Sequence, residues 1–315
     1  MLAVSIVAVA YAALHGGFIP RATDALSSSN AFARTSGANR TLVSMQDVFA
    51  EIGSAKTITL SAFSLSPHGK TARALLAAAH RGATVTVALD GAAFGVAKDE
   101  NVETAPMLAS AGAHVHFTAV PLHLKAAIFD GSRIYLTDRN WTSRGANEIV
   151  IEDPYPGDRL LVERAIFGVP GSNGHLWLRK ADAIAAEARM LSSRTAPTVG
   201  VETESFGAGT PVYGVLLARA RAGDHVHLIV SSSEYRRSES EQRAVAALKA
   251  SGVEVRDGTT DEKLAIEGTR SWVGSANLTA GLPNQIDFGF VFNDATITGE
   301  LVDEFTRNWN DAERL

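Results

Sequence analysis

The sequence predicts an α/β protein that contains two copies of one unit, each a mixed β-sheet flanked by helices, with the copies related by a pseudo-twofold axis. Two observations lead there. Short apolar strands alternate with amphipathic helices along the chain, the pattern of sheets covered by helices. The alternation also recurs at an offset of about 140 residues, which marks a duplicated unit. A chain of 315 residues can bury two ordinary cores or one large one.

The elements follow in order. Leu2–Leu14 (LAVSIVAVAYAAL) is a charge-free apolar run of secretory-core length, and the small residues Ala10 and Ala12 would suit cleavage. Gly16, Gly17 and Pro20 interrupt it before the roughly 20 apolar residues that a bilayer-spanning helix needs. Residues 1–25 are therefore expected to be a signal-like or anchor segment, with a buried first element as the alternative. Export or membrane association follows, while the missing basic flank leaves a cytoplasmic location open. The Ser/Ala/Asn-rich stretch Ala22–Asn39 reads as a tether.

The first repeat is assigned to residues 26–155. It holds strands at Thr57–Phe63 and Val85–Leu89, and a helix that Gly82 closes. Leu108–Gly112 ends a second helix and runs into a strand at Ala113–Phe117; a hairpin at Asp130-Gly131 and a strand at Glu148–Glu152 complete the unit. Helices near Leu160–Phe167 and Leu176–Ser192 read as a connection, residues 156–195. The second repeat, residues 196–315, restates these signals. Leu216–Val226 parallels Leu75–Val85, behind an N-cap at Thr210 and a first-turn Pro211. Leu248–Gly252 parallels Leu108–Gly112 and leads into Val253–Arg256, followed by a turn at Glu267-Gly268 and a strand at Asp287–Phe292.

Composition narrows the chemistry. Hydrophobic residues at 46% and charged residues at 20% describe a globular chain without a disordered bias. A net charge of −5 lacks the basic surplus by which nucleic-acid binders neutralise phosphates. With no cysteine, thiolate metal sites, disulfides and thiol nucleophiles are excluded. His114 with His116, and His225 with His227, share strand faces as metal ligands can, but no third ligand stands at a suitable spacing. No metal and no cofactor is expected.

The chemistry-bearing stretch is His123-Leu124-Lys125-Ala126-Ala127-Ile128-Phe129-Asp130, with Asn140 ten residues further on. In extended backbone, residues two apart share a face, so His123 and Lys125 point the same way. In the second half Gly274-Ser275-Ala276-Asn277 stands at the corresponding place, preceded by Asp261-Glu262-Lys263-Leu264-Ala265-Ile266-Glu267. These segments resemble the histidine–lysine–aspartate signature and the Gly-Ser-x-Asn signature of the phospholipase D superfamily, over roughly Thr41–Asn293. The second motif is degenerate. Asp261 replaces its histidine, Glu267 stands for its aspartate and one spacer residue is missing; the first half carries Thr137-Asp138-Arg139-Asn140 instead of Gly-Ser-x-Asn.

The resemblance implies a site where the halves meet. His123 would be the nucleophile that forms a phosphohistidine. Lys125, Lys263, Asn140, Ser275 and Asn277 would cradle the phosphate, with Gly274 and Ser275 presenting a backbone N–H and a hydroxyl much as anion nests do. Glu148 would orient His123, its counterpart Asp287 having no histidine to hold, and Asp130 would serve the motif chiefly by stabilising the hairpin. Asp261 is the candidate general acid, with His68 as the alternative. The implied function is phospholipid head-group hydrolysis or phosphatidyl transfer by a monomer that contacts a membrane surface. A nuclease of the same superfamily and a phospholipase D-like pseudoenzyme are the alternatives.

Overall fold

The computed structural model describes residues 40–141, 148–259 and 262–315. The apolar run Leu2–Leu14, the tether and Asp261 lie outside the described residues. The first half comprises β1 (Thr41–Val43), α1 (Met45–Ser54), β2 (Thr57–Ala62), α2 (Lys70–His80), β3 (Thr84–Asp90), α3 (Gly95–Ser110), β4 (His114–Thr118), β5 (Ala126–Phe129), β6 (Arg133–Thr137), β7 (Val150–Asp153) and α4 (Pro156–Ile166). The second comprises β8 (Leu176–Trp177), α5 (Lys180–Ser192), β9 (Thr198–Thr203), α6 (Pro211–Arg221), β10 (His225–Ser231), α7 (Ser232–Arg237), α8 (Glu239–Lys249), β11 (Glu254–Gly258), β12 (Leu264–Glu267), β13 (Arg270–Gly274), β14 (Gly289–Phe292), α9 (Ala295–Asp311) and β15 (Glu313–Arg314).

Local chemistry accounts for the helix boundaries. Ser44 and Asp47 close a reciprocal capping box on α1. Thr210 accepts a hydrogen bond from the Tyr213 N–H ahead of Pro211 at the start of α6, a cap worth about 1 kcal/mol. Gly82 and Gly223 take positive φ just past α2 and α6, so each chain reverses directly into a strand.

The two sheets have the same order. The first runs β1-β7-β6-β5-β2-β3-β4 and the second β8-β14-β13-β12-β9-β10-β11, with β15 added at the β11 edge. In each, three parallel strands (β2, β3, β4 or β9, β10, β11) adjoin an antiparallel set built on a hairpin. The correspondence reaches the segment expected as a connection. Leu176-Trp177 is not helical but pairs with β14 as β1 pairs with β7. The helix α4 follows β7 as α9 follows β14, and α5 follows β8 as α1 follows β1. Residues 156–192 therefore close one repeat and open the next.

One apolar core runs through both halves. Leu124, Ala126, Ile151 and Val162 of the first pack in one buried cluster with Ile229, Leu264, Ile286 and Phe288 of the second. A second cluster fills the first half beneath α1, α2 and α3. The shared cluster ties the halves together beside the motif residues. There, Leu122 forms a bridge with Ile286, the His123 N–H donates to the Ile286 carbonyl at 2.8 Å, and the Ile286 N–H donates to Pro121 at 2.9 Å.

Candidate active site at the junction of the repeats

Position comes from the strands. His123-Leu124-Lys125 is extended chain leading into β5 rather than part of its ladder, and its alternation turns Leu124 into the shared core. Asp90, at the end of β3, accepts the Leu122 N–H at 3.1 Å. Ser61 of β2 donates to the Leu124 carbonyl and accepts the Ala126 N–H, each at 3.0 Å. Lys125 is held between these clamps, and its carbonyl accepts the Thr137 N–H at 3.0 Å. The second half repeats that last bond, Gly274 N–H to the Lys263 carbonyl at 3.1 Å, which makes Lys263 the structural counterpart of Lys125.

The partner of His123 comes from the other repeat. Its Nδ1 lies 2.8 Å from Oδ1 of Asp287, which is fully buried. Burial pushes the Asp287 carboxyl up, but His123, Lys125 and the Ser275 hydroxyl outweigh it and hold it below the usual aspartate range. An ionised carboxylate only accepts, so Nδ1 carries the proton and Nε2 keeps its lone pair. Burial, together with the Lys125 charge, lowers the His123 pKa against the pull of Asp287. The imidazole is thus neutral at neutral pH, the form that can act as a nucleophile.

Two lysines complete the group. Lys125 is 1% exposed; burial and the Lys263 charge bring its pKa down to about 7, against Asp287, Glu204 and Asp138. Lys263 is also buried, and its Nζ lies 2.9 Å from Oε2 of Glu204. Glu204 was not among the residues singled out from sequence. Burial would raise its pKa, but Lys263, His123 and Lys125 bring it down to about 2, so it is ionised within their field. Strand register explains its place. Ser61 opposes Ala126 and Glu202 opposes Leu264, so Glu204, two residues past Glu202, is the counterpart of Phe63. Phe63 packs edge-on against His123 at 5.1 Å and lies 5.8 Å from Lys125 Nζ. Comparing the ends of the two first strands would have found Glu204 from sequence.

Several sequence-derived roles change. Glu148 does not hold His123; Asp287 does, reaching it from the other repeat. Glu148 instead lies near Asp138 and Arg139, with burial lifting its pKa to about 7. The Ser275 hydroxyl donates to Asp287 at 2.8 Å and accepts the Phe288 N–H at 3.0 Å, so it braces the carboxylate rather than facing a ligand. The backbone N–H groups of Gly274 and Ser275 are consumed by Lys263 and Phe288, so they form no anion nest. A Cβ on Gly274 would meet the Phe288 carbonyl at 2.5 Å, so glycine is required there for packing.

Asp130 sits at the far end of β5, where its Oδ1 accepts the Lys56 and Thr57 N–H groups at 2.8 and 2.9 Å. Glu267 does the equivalent work for Thr195 and pairs with buried Arg219. The missing spacer residue is a shorter hairpin, since Phe129 faces Arg133 but Glu267 faces Arg270. Both acids are structural.

Asp138 replaces serine as a polar anchor, accepting the Ile149 N–H at 3.1 Å, and burial pushes it up to about 6. Asn140 and Asn277 each keep a buried side-chain oxygen that the described residues leave unpaired. His68 is 88% exposed beside Glu103 and does not enter the site. His114, His116 and His225 are exposed, and His227 lies against Trp309. Among the described residues no histidine or carboxylate group is arranged to hold a metal.

Fold and site together define a duplicated α/β protein with a histidine, its acid and two buried lysines at the junction of its halves. Residues 48–152 match the protein-family model described as cardiolipin synthase, PLD-like domain, so this part of the chain is similar to phospholipase D-like domains. Its fold is similar to that of phosphatidylserine synthase from Haemophilus influenzae Rd KW20 (TM-score 0.62, 11% identity, 88% of this chain and 87% of that one). It is also similar to polyphosphate kinase from Porphyromonas gingivalis (TM-score 0.64, 15% identity, 88% of this chain); the chain spans only 48% of that kinase. A search of curated proteins gives no match.

Proposed function

We propose that the protein cleaves or transfers phosphodiesters through a phosphohistidine on His123, with phospholipids as the substrate class. The observation that carries this is the His123–Asp287 pair beside Lys125 and Lys263. Nε2 attacks phosphorus while Asp287 stabilises the imidazolium that forms, and the lysines offset charge on the non-bridging oxygens. The bond to the leaving oxygen breaks, and that oxygen takes a proton from solvent. Water or an alcohol then attacks phosphorus, loses its proton and returns the lone pair to Nε2. The lipid reading leans on the matching family model, whose description names a cardiolipin synthase. The two structural neighbours share the fold while their names differ in substrate, so the fold by itself does not choose.

The test is to incubate the full chain with a nitrophenyl phosphodiester and a short-chain phospholipid and to trap the intermediate with acid-free denaturant. Wild type should turn both over and carry a phosphoryl adduct on His123; His123→Ala should lose turnover and adduct while keeping its fold. Absence of both in wild type would favour the pseudoenzyme reading, which the degenerate second motif supports.

A further inference from the structure

The two repeats treat one corner differently. In the first half, two side chains of α3 close the loop that follows β2. The Asn101 amide donates to the Phe63 carbonyl at 2.8 Å and accepts the Leu65 N–H at 3.0 Å, and the Thr104 hydroxyl donates to the Leu65 carbonyl at 2.6 Å. The same positions in the second half are Glu241 and Ala244 of α8, beside Ser205 and Phe206 in the loop after β9. The Phe206 N–H still donates to the Glu241 carboxylate, as Leu65 does to Asn101. An ionised carboxylate donates nothing, however, and alanine has no polar side-chain atom. Both side-chain donors of the first half are gone, and acceptors stand in their place.

A cavity of about 630 Å³ lies at that corner. Glu241 borders it while only 2% exposed, and its Oε1 has no hydrogen-bond partner among the described residues. A buried acceptor without a donor is costly, and a ligand that donates removes the cost. Burial, joined by the charges of Glu234 and Glu204, pushes the Glu241 carboxyl up to about 7 against the Phe206 N–H, and a cation acts against that push.

The remaining walls fit a cation with N–H donors. The Phe206 and Tyr213 rings pair at 6.1 Å and supply aromatic surface. Glu234 stands at the rim, with exposed Arg237 at 3.6 Å. Arg243 also borders the cavity, but it is exposed and Glu239 draws its guanidinium at 3.4 Å. An anion finds less. The Ser238 hydroxyl caps the N-terminus of α8, and Glu239 and Glu241 in its first turn answer its dipole.

We propose that this cavity is a binding site for a small primary amine, with Glu241 Oε1 accepting from the ammonium and the Phe206–Tyr213 pair covering the carbon chain. No residue of the His123–Lys125–Lys263 group borders it. It is a second site, independent of the phosphodiesterase reading.

The test is calorimetric titration of the full chain with butylammonium, set against tetramethylammonium, a cation without N–H, and butanol, the neutral counterpart. Butylammonium should bind, tetramethylammonium about tenfold more weakly or worse, and butanol not measurably. Glu241→Gln puts an amide back where Asn101 has one, so it should weaken butylammonium by about tenfold or more while its melting temperature holds or rises. Ala244→Thr restores the Thr104 donor and should weaken binding in the same direction. His123→Ala should bind butylammonium as wild type does. No binding by folded wild type, an unchanged affinity in Glu241→Gln, or tetramethylammonium bound as tightly as butylammonium would overturn the site. Loss of binding in folded His123→Ala would overturn it too, by placing the amine at the candidate active site. A chain that binds the amine but turns over no phosphodiester would uphold this site and leave only the phosphodiesterase reading to fall.

Discussion

Replacing Asp287 by asparagine separates the acid that holds His123 from the acid that the motif spacing nominates. The lost contact is a 2.8 Å hydrogen bond between an imidazole and a fully buried carboxylate. Hydrogen bonds to charged groups contribute about 1.5–3 kcal/mol, and each 1.4 kcal/mol is about tenfold in rate, so turnover should fall by about 10- to 150-fold. Asparagine also frees the tautomer, because its amide can accept from or donate to Nδ1. Asp287 favours the imidazolium, so its loss should move the acid limb of the pH–rate profile further down. Glu148→Gln should change the rate by less than about twofold, since Asp287 and not Glu148 pairs with His123, and burial pushes the Glu148 carboxyl up to about 7. Initial rates on a nitrophenyl diester measure both variants, and nitrogen NMR of the His123 ring reports the tautomer independently of turnover. Equal losses in the two variants, or an unaltered tautomer in Asp287→Asn, would refute the assignment of Asp287 as the acid that holds His123.

Three other buried ionisable groups give predictions of opposite sign. Lys125 has its pKa lowered to about 7, so between about pH 7 and 10.5 the unfolded chain binds more protons than the folded one, and stability rises with pH. Lys125→Met should therefore melt higher than wild type at pH 7, by a few kcal/mol of stability, with the gap shrinking toward pH 10 while phosphate binding is lost; an unchanged gap would show that the lysine is not desolvated. Glu202 and Glu262 are both hydrogen-bonded by Asn308, at 3.1 and 3.0 Å; burial with Asp138 and Glu304 raises Glu202 to about 8, and burial with Glu202 raises Glu262 to about 10. Here the folded chain holds the extra protons, so stability falls as pH climbs from about 4.5 through 8 to about 10. Glu262→Gln should flatten that fall in a melting series; a slope like that of wild type would place the protonation elsewhere.

Much of this was legible in the chain because it rests on local chemistry. The duplicated unit could be read from Leu75–Val85 and Leu216–Val226, since a helix closed by glycine and followed at once by a strand leaves the same mark wherever it occurs. His123 and Lys125 could be paired because their contact follows from two-residue alternation. Other readings failed where a neighbour distant in sequence decides. Leu176-Trp177 looked helical beside Lys180–Ser192, yet β14 offers it a free edge. Asp130 belongs to the motif as it is written along the chain, but four strand residues carry it to the opposite end of β5 from Lys125. Ser275 looked like a phosphate ligand until Asp287 was found to occupy its hydroxyl.

By itself the sequence determined the α/β units, their duplication and the histidine–lysine pair, because propensity, caps and alternation act within a few residues. Only the tertiary structure decided which acid serves His123, what stands beside Lys263, and which motif residues are braces rather than ligands. The physical reason is that burial and charge, which set the ionisation of Asp287, Glu204 and Lys125, come from groups as far apart in sequence as 123 and 287, brought together by the core that the two halves share.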